Sequence, residues 1–127
     1  MKIDHVAIYV TDLDGARAFF EDYFGGTSNS MYHNPRTGLR TYFITFSDGS
    51  RLEIMSRPEV AAEDFRQFRH GLVHIAFNLG SATCVDTLTA RLAKAGFEVL
   101  SGPRTTGDGY YESSVRAFEG IVIELTV

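Results

Sequence analysis

Leu72-Val73-His74-Ile75-Ala76-Phe77 decides the reading of this chain, because it echoes Ile3-Asp4-His5-Val6-Ala7-Ile8 at an offset of 69 residues. Asp48-Gly49-Ser50-Arg51-Leu52-Glu53-Ile54 is echoed in the same way by Glu119-Gly120-Ile121-Val122-Ile123-Glu124-Leu125, at an offset of 71. Self-similarity at a nearly constant spacing marks two copies of one supersecondary unit. The expected organisation is therefore a single domain, 1–127, built from repeats 1–56 and 72–127 and joined by a connector, 57–71.

Working outward, each repeat reads as strand, helix and three strands. Ile3 to Val10 alternates and is rich in β-branched residues, and Thr11 or Asp12 can cap a helix with Leu13, Ala16, Phe20 and Tyr23 on one face. Gly25-Gly26 ends that helix, and strands are expected near Thr27 to His33, Leu39 to Phe46 and Arg51 to Ser56. Asn34 to Gly38 and Ser47-Asp48-Gly49 are hairpin turns, so this part of the sheet is antiparallel. The connector, with Pro58, has room for a short helix. The second repeat restarts at Leu72 to Leu79. Ser81 caps a helix with Val85, Leu88, Leu92 and Ala95 inward, Gly96 stops it, and strands follow near Phe97 to Ser101, Tyr110 to Phe118 and Ile121 to Val127.

Composition narrows the functional classes. Twelve basic and sixteen acidic residues leave a net charge of −4, too little of either sign to point to nucleic acid or a charged membrane. With 44% hydrophobic residues, a chain of this length can bury about two-thirds of its unfolded surface without a structural metal. Any metal is therefore functional. Cys84 is the single cysteine, which excludes an intramolecular disulfide and a thiolate cluster and points to a reducing, cytoplasmic setting. No signal-like start and no apolar run of about 18 residues is present, so a soluble, unprocessed chain is expected.

Side chains alternate along a strand, so residue parity assigns faces. Val6, Ile8 and Val10 form the apolar face of the first strand and leave His5, Ala7 and Tyr9 opposite; Leu52 and Ile54 leave Glu53 opposite. In the second repeat Val73, Ile75, Phe77 and Leu79 oppose His74, and Ile121, Ile123 and Leu125 oppose Glu124. If the first and last strands of each repeat are neighbours, His5 comes near Glu53 and His74 near Glu124. A pseudo-twofold then makes a site of two nitrogens and two oxygens. That set suits Zn, Ni, Co, Mn or Fe(II), with room for water or substrate. Singly, such residues are more often packed or solvated, and a structural ion-pair cluster is the competing reading.

These motifs, His5-Val6-Ala7-Ile8, Arg51-Leu52-Glu53-Ile54, His74-Ile75-Ala76-Phe77 and Ile123-Glu124-Leu125, resemble the vicinal oxygen chelate superfamily, which includes glyoxalase I. The resemblance spans nearly the whole chain. It implies an α+β fold of two βαβββ modules whose curved mixed sheets form a metal-binding cleft, with His5, Glu53, His74 and Glu124 as ligands of one divalent ion. The His, Glu, His, Glu set is most similar to glyoxalase I, a lactoylglutathione lyase that isomerises the hemithioacetal of glutathione and methylglyoxal. The resemblance implies enediolate chemistry in which Glu124 is the base and Glu53 its counterpart. It also implies a small-molecule substrate such as a glutathione or other thiol adduct, and a homodimer, since open sheet edges and a concave face favour a partner.

The alternatives are another enzyme of the superfamily, an epimerase, extradiol dioxygenase or thiol transferase, or a metal-free module of the bleomycin-resistance kind. Two departures from the glyoxalase pattern stand out: Tyr9 occupies a place that often holds an Arg for the glutathione carboxylate, and Ala117-Phe118-Glu119-Gly120 replaces Asp-Pro-Asp-Gly. Thr105 to Ser114 reads as a Gly-rich hairpin with tyrosines packed at its base, in preference to a loop that offers Asp108 or Tyr111 to substrate. Glu112 and Arg116 are further candidates for the site face, and His33 and His70 are expected to be surface or loop histidines.

Overall fold

The structure, a computed structural model, describes residues 4–60, 72, 74–107 and 109–127. The chain divides into two compact units, Met1–Glu63 and Asp64–Val127. In the first, β1 (Val6–Tyr9), α1 (Leu13–Phe24), β2 (Thr27–Ser28), β3 (Tyr32–His33), β4 (Arg40–Thr45) and β5 (Arg51–Ser56) follow in order. The sheet runs β1-β5-β4-β2, with β3 also on β4; β1 is parallel to β5 and the other pairings are antiparallel. The second unit holds β6 (Ile75–Asn78), α2 (Ala82–Lys94), β7 (Glu98–Thr105), β8 (Tyr111–Arg116) and β9 (Val122–Thr126), in a sheet ordered β6-β9-β8-β7 with β6 parallel to β9. This is the expected α+β architecture of two mixed sheets and two helices. In both units the first and last strands are neighbours, which brings their repeated histidine and glutamate motifs together.

Helix α1 begins where Asp12 accepts a hydrogen bond from the Gly15 N–H at 3.0 Å, supplying one of the partners a helix start lacks. It ends at Gly25, whose left-handed backbone (φ 64°) lets its N–H and that of Gly26 reach back to Glu21 and Phe20. The buried stripe is Leu13, Ala16, Phe19 and Phe20, so Phe19 rather than the half-buried Tyr23 completes it. These side chains meet Ile8, Val10, Ile44, Leu52 and Ile54 in the core of this unit. Full burial of Phe20 alone stabilises the fold by about 1.5–3 kcal/mol.

In α2 the Ser81 side chain accepts from the Cys84 N–H at 3.2 Å, and Val85, Thr89 and Leu92 face inward. Ala95 is exposed, against expectation, because the helix has ended and the chain turns away through Gly96. Thr89 takes the inward place. Its hydroxyl donates to the Val85 carbonyl at 2.6 Å and meets the buried Ser113 hydroxyl at 2.6 Å, so burial leaves no polar group unmatched there.

Three strand boundaries differ from expectation. Thr27 to His33 is two short strands: Asn29 takes the Phe43 N–H on its side-chain oxygen (2.8 Å), and the main chain then leaves β4 until Tyr32. Strand β7 continues past Gly102-Pro103 to Thr105 by shifting register at Ser101 and Arg104, where Gly102 (φ 77°) lies so close to β8 that a Cβ would fall 2.4 Å from the Glu112 carbonyl oxygen. Strand β8 stops at Arg116, because Ala117 to Gly120 forms a tight turn with Glu119 and Gly120 at positive φ. The start of the first expected strand, the connector beyond Val60, His70, Val73 and Asp108 lie outside the described residues.

Candidate metal centre

In the first unit the register pairs Ala7 with Glu53 and places His5 one step further along the same face. His5 Nε2 lies 3.7 Å from Glu53 Oε2, with side-chain exposures of 35% and 16%. That separation is too long for a direct hydrogen bond. Two donors each about 2.1 Å from one ion stand about 3.0–3.4 Å apart in octahedral or tetrahedral geometry, so small side-chain adjustments would bring both to a single metal.

The other imidazole nitrogen is committed. His5 Nδ1 lies 2.9 Å from Asp4 Oδ2, so with Nδ1–H donating to this carboxylate the Nε2 lone pair is turned toward Glu53. A carboxylate behind a histidine fixes its tautomer and raises its basicity as a ligand. The His5 hydrogen bond, joined by the Arg51 guanidinium, holds the Asp4 carboxyl below the ordinary range. Arg51 also lies over the Phe43 ring, 4.8 Å from its centroid, and His5 meets the same ring edge-on at 5.1 Å. Phe43 stands directly across from Glu53 on β4 and closes one side of the pair.

The second unit repeats the construction. Ala76 pairs with Glu124, His74 precedes Ala76 by two residues, and His74 Nε2 lies 3.7 Å from Glu124 Oε2, with exposures of 41% and 20%. Here Ser114 takes the place across from the glutamate that Phe43 holds in the first unit. The surroundings of Glu124 are therefore more polar. Parity puts Glu112 and Arg116 on the same face of β8 as Ser114, and Arg116 Nε donates to Glu98 Oε2 at 2.8 Å.

Each unit by itself thus supplies one histidine and one glutamate, and among the described residues no group of three or more His, Cys, Asp or Glu side chains is gathered for one ion. Tyr111 faces the other side of β8, where its hydroxyl donates to Asp86 of α2 at 2.7 Å; that contact raises the phenol above its ordinary range and supports the packing role of this tyrosine. His33 is exposed on β3, away from both pairs, and Tyr9 is exposed at the end of β1. Asp4, Phe43 and Arg51 were not foreseen as site residues. Asp4 precedes the first described residue of β1, so strand parity does not govern it, and the identity of the residue behind His5 was the only available signal.

A family model described as Glyoxalase/Bleomycin resistance protein/Dioxygenase superfamily matches residues 2–125, and the chain belongs to that superfamily. An uncharacterized protein of Bacillus subtilis (strain 168), YqjT, is 29% identical over 125 residues, covering 95% of this chain and 94% of its own. Among solved structures, a glyoxylase/bleomycin resistance protein/dioxygenase domain from Frankia sp. EAN1pec is 21% identical, with a TM-score of 0.85 over 100% of this chain and 97% of that one. The fosfomycin resistance protein FosX from Listeria monocytogenes, complexed with Mn(II) and sulfate, is 20% identical, with a TM-score of 0.76 over 99% and 91%. At these identities the structural likenesses show the fold.

Proposed function

We propose that the protein is a divalent-metal-dependent lyase or isomerase of the glyoxalase I type, acting on a small 2-oxo or thiohemiacetal substrate. The observation that carries the reading is the repeated pair: His5 with Glu53 and His74 with Glu124, at the same 3.7 Å separation in units related by sequence repeat. Together His5, Glu53, His74 and Glu124 would supply the two nitrogen and two oxygen donors that suit one divalent ion. When bound, the ion supplies Lewis-acid stabilisation of negative charge developing on those oxygens.

The chain's own groups do the rest. Glu124 takes the proton from the carbon beside the carbonyl and returns it to the neighbouring carbon, and Glu53 is its counterpart on the other side. Asp4 holds the His5 ring with Nε2 forward, and Phe43 excludes water from the Glu53 side. We take the whole chain to act as one domain in a cytoplasmic homodimer; among the described residues no helix is long and apolar enough to cross a membrane. The likeness to FosX, a structure complexed with Mn(II), supports a metal here.

The test is conversion of the hemithioacetal of glutathione and methylglyoxal to thioester after loading with Ni, Co, Zn or Mn. Thioester formation dependent on metal supports the reading. Stoichiometric metal without turnover would reject this substrate and direct the search to other thiols and 2-oxo compounds. Failure to bind metal under any loading would reject the enzyme and leave a drug-binding module.

A further inference from the structure

The first unit contains a concavity at the end of its sheet where β1 runs into α1, β4 begins and β5 finishes. It has a volume of about 420 Å³ and is lined by Thr11, His33, Arg40, Ser56, Arg57 and Pro58, with Gly38 and Val60 at its margin. Strand register explains how these residues meet. His33 pairs with Arg40 across β3 and β4, and Arg40 pairs with Ser56 across β4 and β5. Ser56 continues the buried series Leu52, Ile54, Ser56, whereas Glu53 belongs to the alternate series. Thr11 follows β1 at the same end of the sheet.

The lining is basic and rich in donors. Arg57 is pinned by Glu59, Nε to Oε2 at 2.7 Å and a terminal nitrogen to Oε1 at 3.2 Å, and it also bonds the Tyr9 side chain, so a ligand oxyanion reaches this forked edge only by displacing Glu59. Glu59 is 66% exposed, and such a surface pair adds little stability. Arg40 makes no salt bridge among the described residues. With Glu59 in place the lining still carries an unneutralised positive charge on Arg40.

We propose that this concavity binds the phosphate group of a small organic phosphate monoester. A ligand carboxylate would compete at Arg57 against Glu59, which is tethered two residues away and enjoys a high effective concentration. A dianionic phosphate engages Arg40 as well, and its second charge gains from the net positive lining in a way a carboxylate's single charge does not. The volume exceeds that of a lone ion and falls in the range of small-molecule sites, about 300–1,000 Å³, and Pro58 and Val60 give its organic portion an apolar wall.

The test is an amide NMR titration of the full chain with phenyl phosphate, run beside inorganic phosphate and benzoate. Saturable shifts at Thr11, Gly38, Arg40 and Val60 are expected, with phenyl phosphate binding more tightly than either comparison anion. R40Q should weaken binding about tenfold or more with an otherwise native spectrum, and E59Q should strengthen it by releasing Arg57. Absence of saturable shifts, shifts confined to the His5 and Glu53 face, benzoate binding as well as phenyl phosphate, or unchanged affinity in R40Q would each overturn the proposal.

Discussion

His74, immediately before β6, stands 3.7 Å from Glu124 on the adjacent parallel strand β9, and in each unit the histidine lies two residues ahead of the alanine that pairs with the glutamate. Chance packing has no reason to reproduce both the register and the separation. The pairs nevertheless differ in what stands behind them, and this difference makes the first prediction.

Asp4 accepts from His5 Nδ1, so Asp4→Asn should lower metal affinity about 10–100-fold by weakening control of the ring that presents Nε2. Competition with a chromogenic chelator measures this. An affinity equal to that of the natural chain would remove Asp4 from the site.

Glu124→Gln keeps a side-chain oxygen near His74 but removes the base. Turnover on the hemithioacetal should fall about 10²–10⁴-fold while metal content is largely retained. Undiminished turnover would contradict the assignment of Glu124.

The hydroxyls of Thr89 and Ser113 are buried against one another at 2.6 Å. Thr89→Val should destabilise the protein by about 1–3 kcal/mol in denaturant unfolding, because Ser113 loses its partner in a place water does not reach. Adding Ser113→Ala should recover part of the loss, since both polar groups are then gone. A fully additive double variant would show that the bond contributes nothing.

The Glu21 carboxylate accepts from both the hydroxyl (2.7 Å) and the N–H (3.2 Å) of Ser28, and the hydroxyl bond is the main cause that lowers its pKa from the ordinary value. A lowered folded-state pKa means the contribution is present above the unfolded carboxylate range and lost as pH falls through the folded value. The stability difference between the natural chain and Glu21→Gln should therefore shrink on acidification from neutral pH. A difference that stays constant with pH would remove the linkage.

Much of this architecture was legible because repetition and alternation are global signals. The offset motifs pointed to two near-equal modules, and parity placed His5, Glu53, His74 and Glu124 on faces opposite the buried stripes that Leu52, Ile54, Ile123 and Leu125 define. Local substitutions for the backbone ladder were harder to foresee. Asn29 uses its side chain to continue a strand pairing, Thr89 is buried because Ser113 answers its hydroxyl, and β7 passes through Gly102-Pro103 by shifting register. Each depends on a partner remote in sequence. Asp4 escaped for the same reason, since its value lies only in what His5 Nδ1 requires.

The central claim is that one divalent ion is held jointly by both histidine and glutamate pairs. Elemental analysis of the protein purified without added metal, beside His5→Ala and His74→Ala, tests it most directly. The account predicts about one ion per chain in the natural protein and loss of that ion in either variant, although each variant leaves the other pair intact. Retention of metal in one of the two variants, or none in the natural chain after loading, would contradict it.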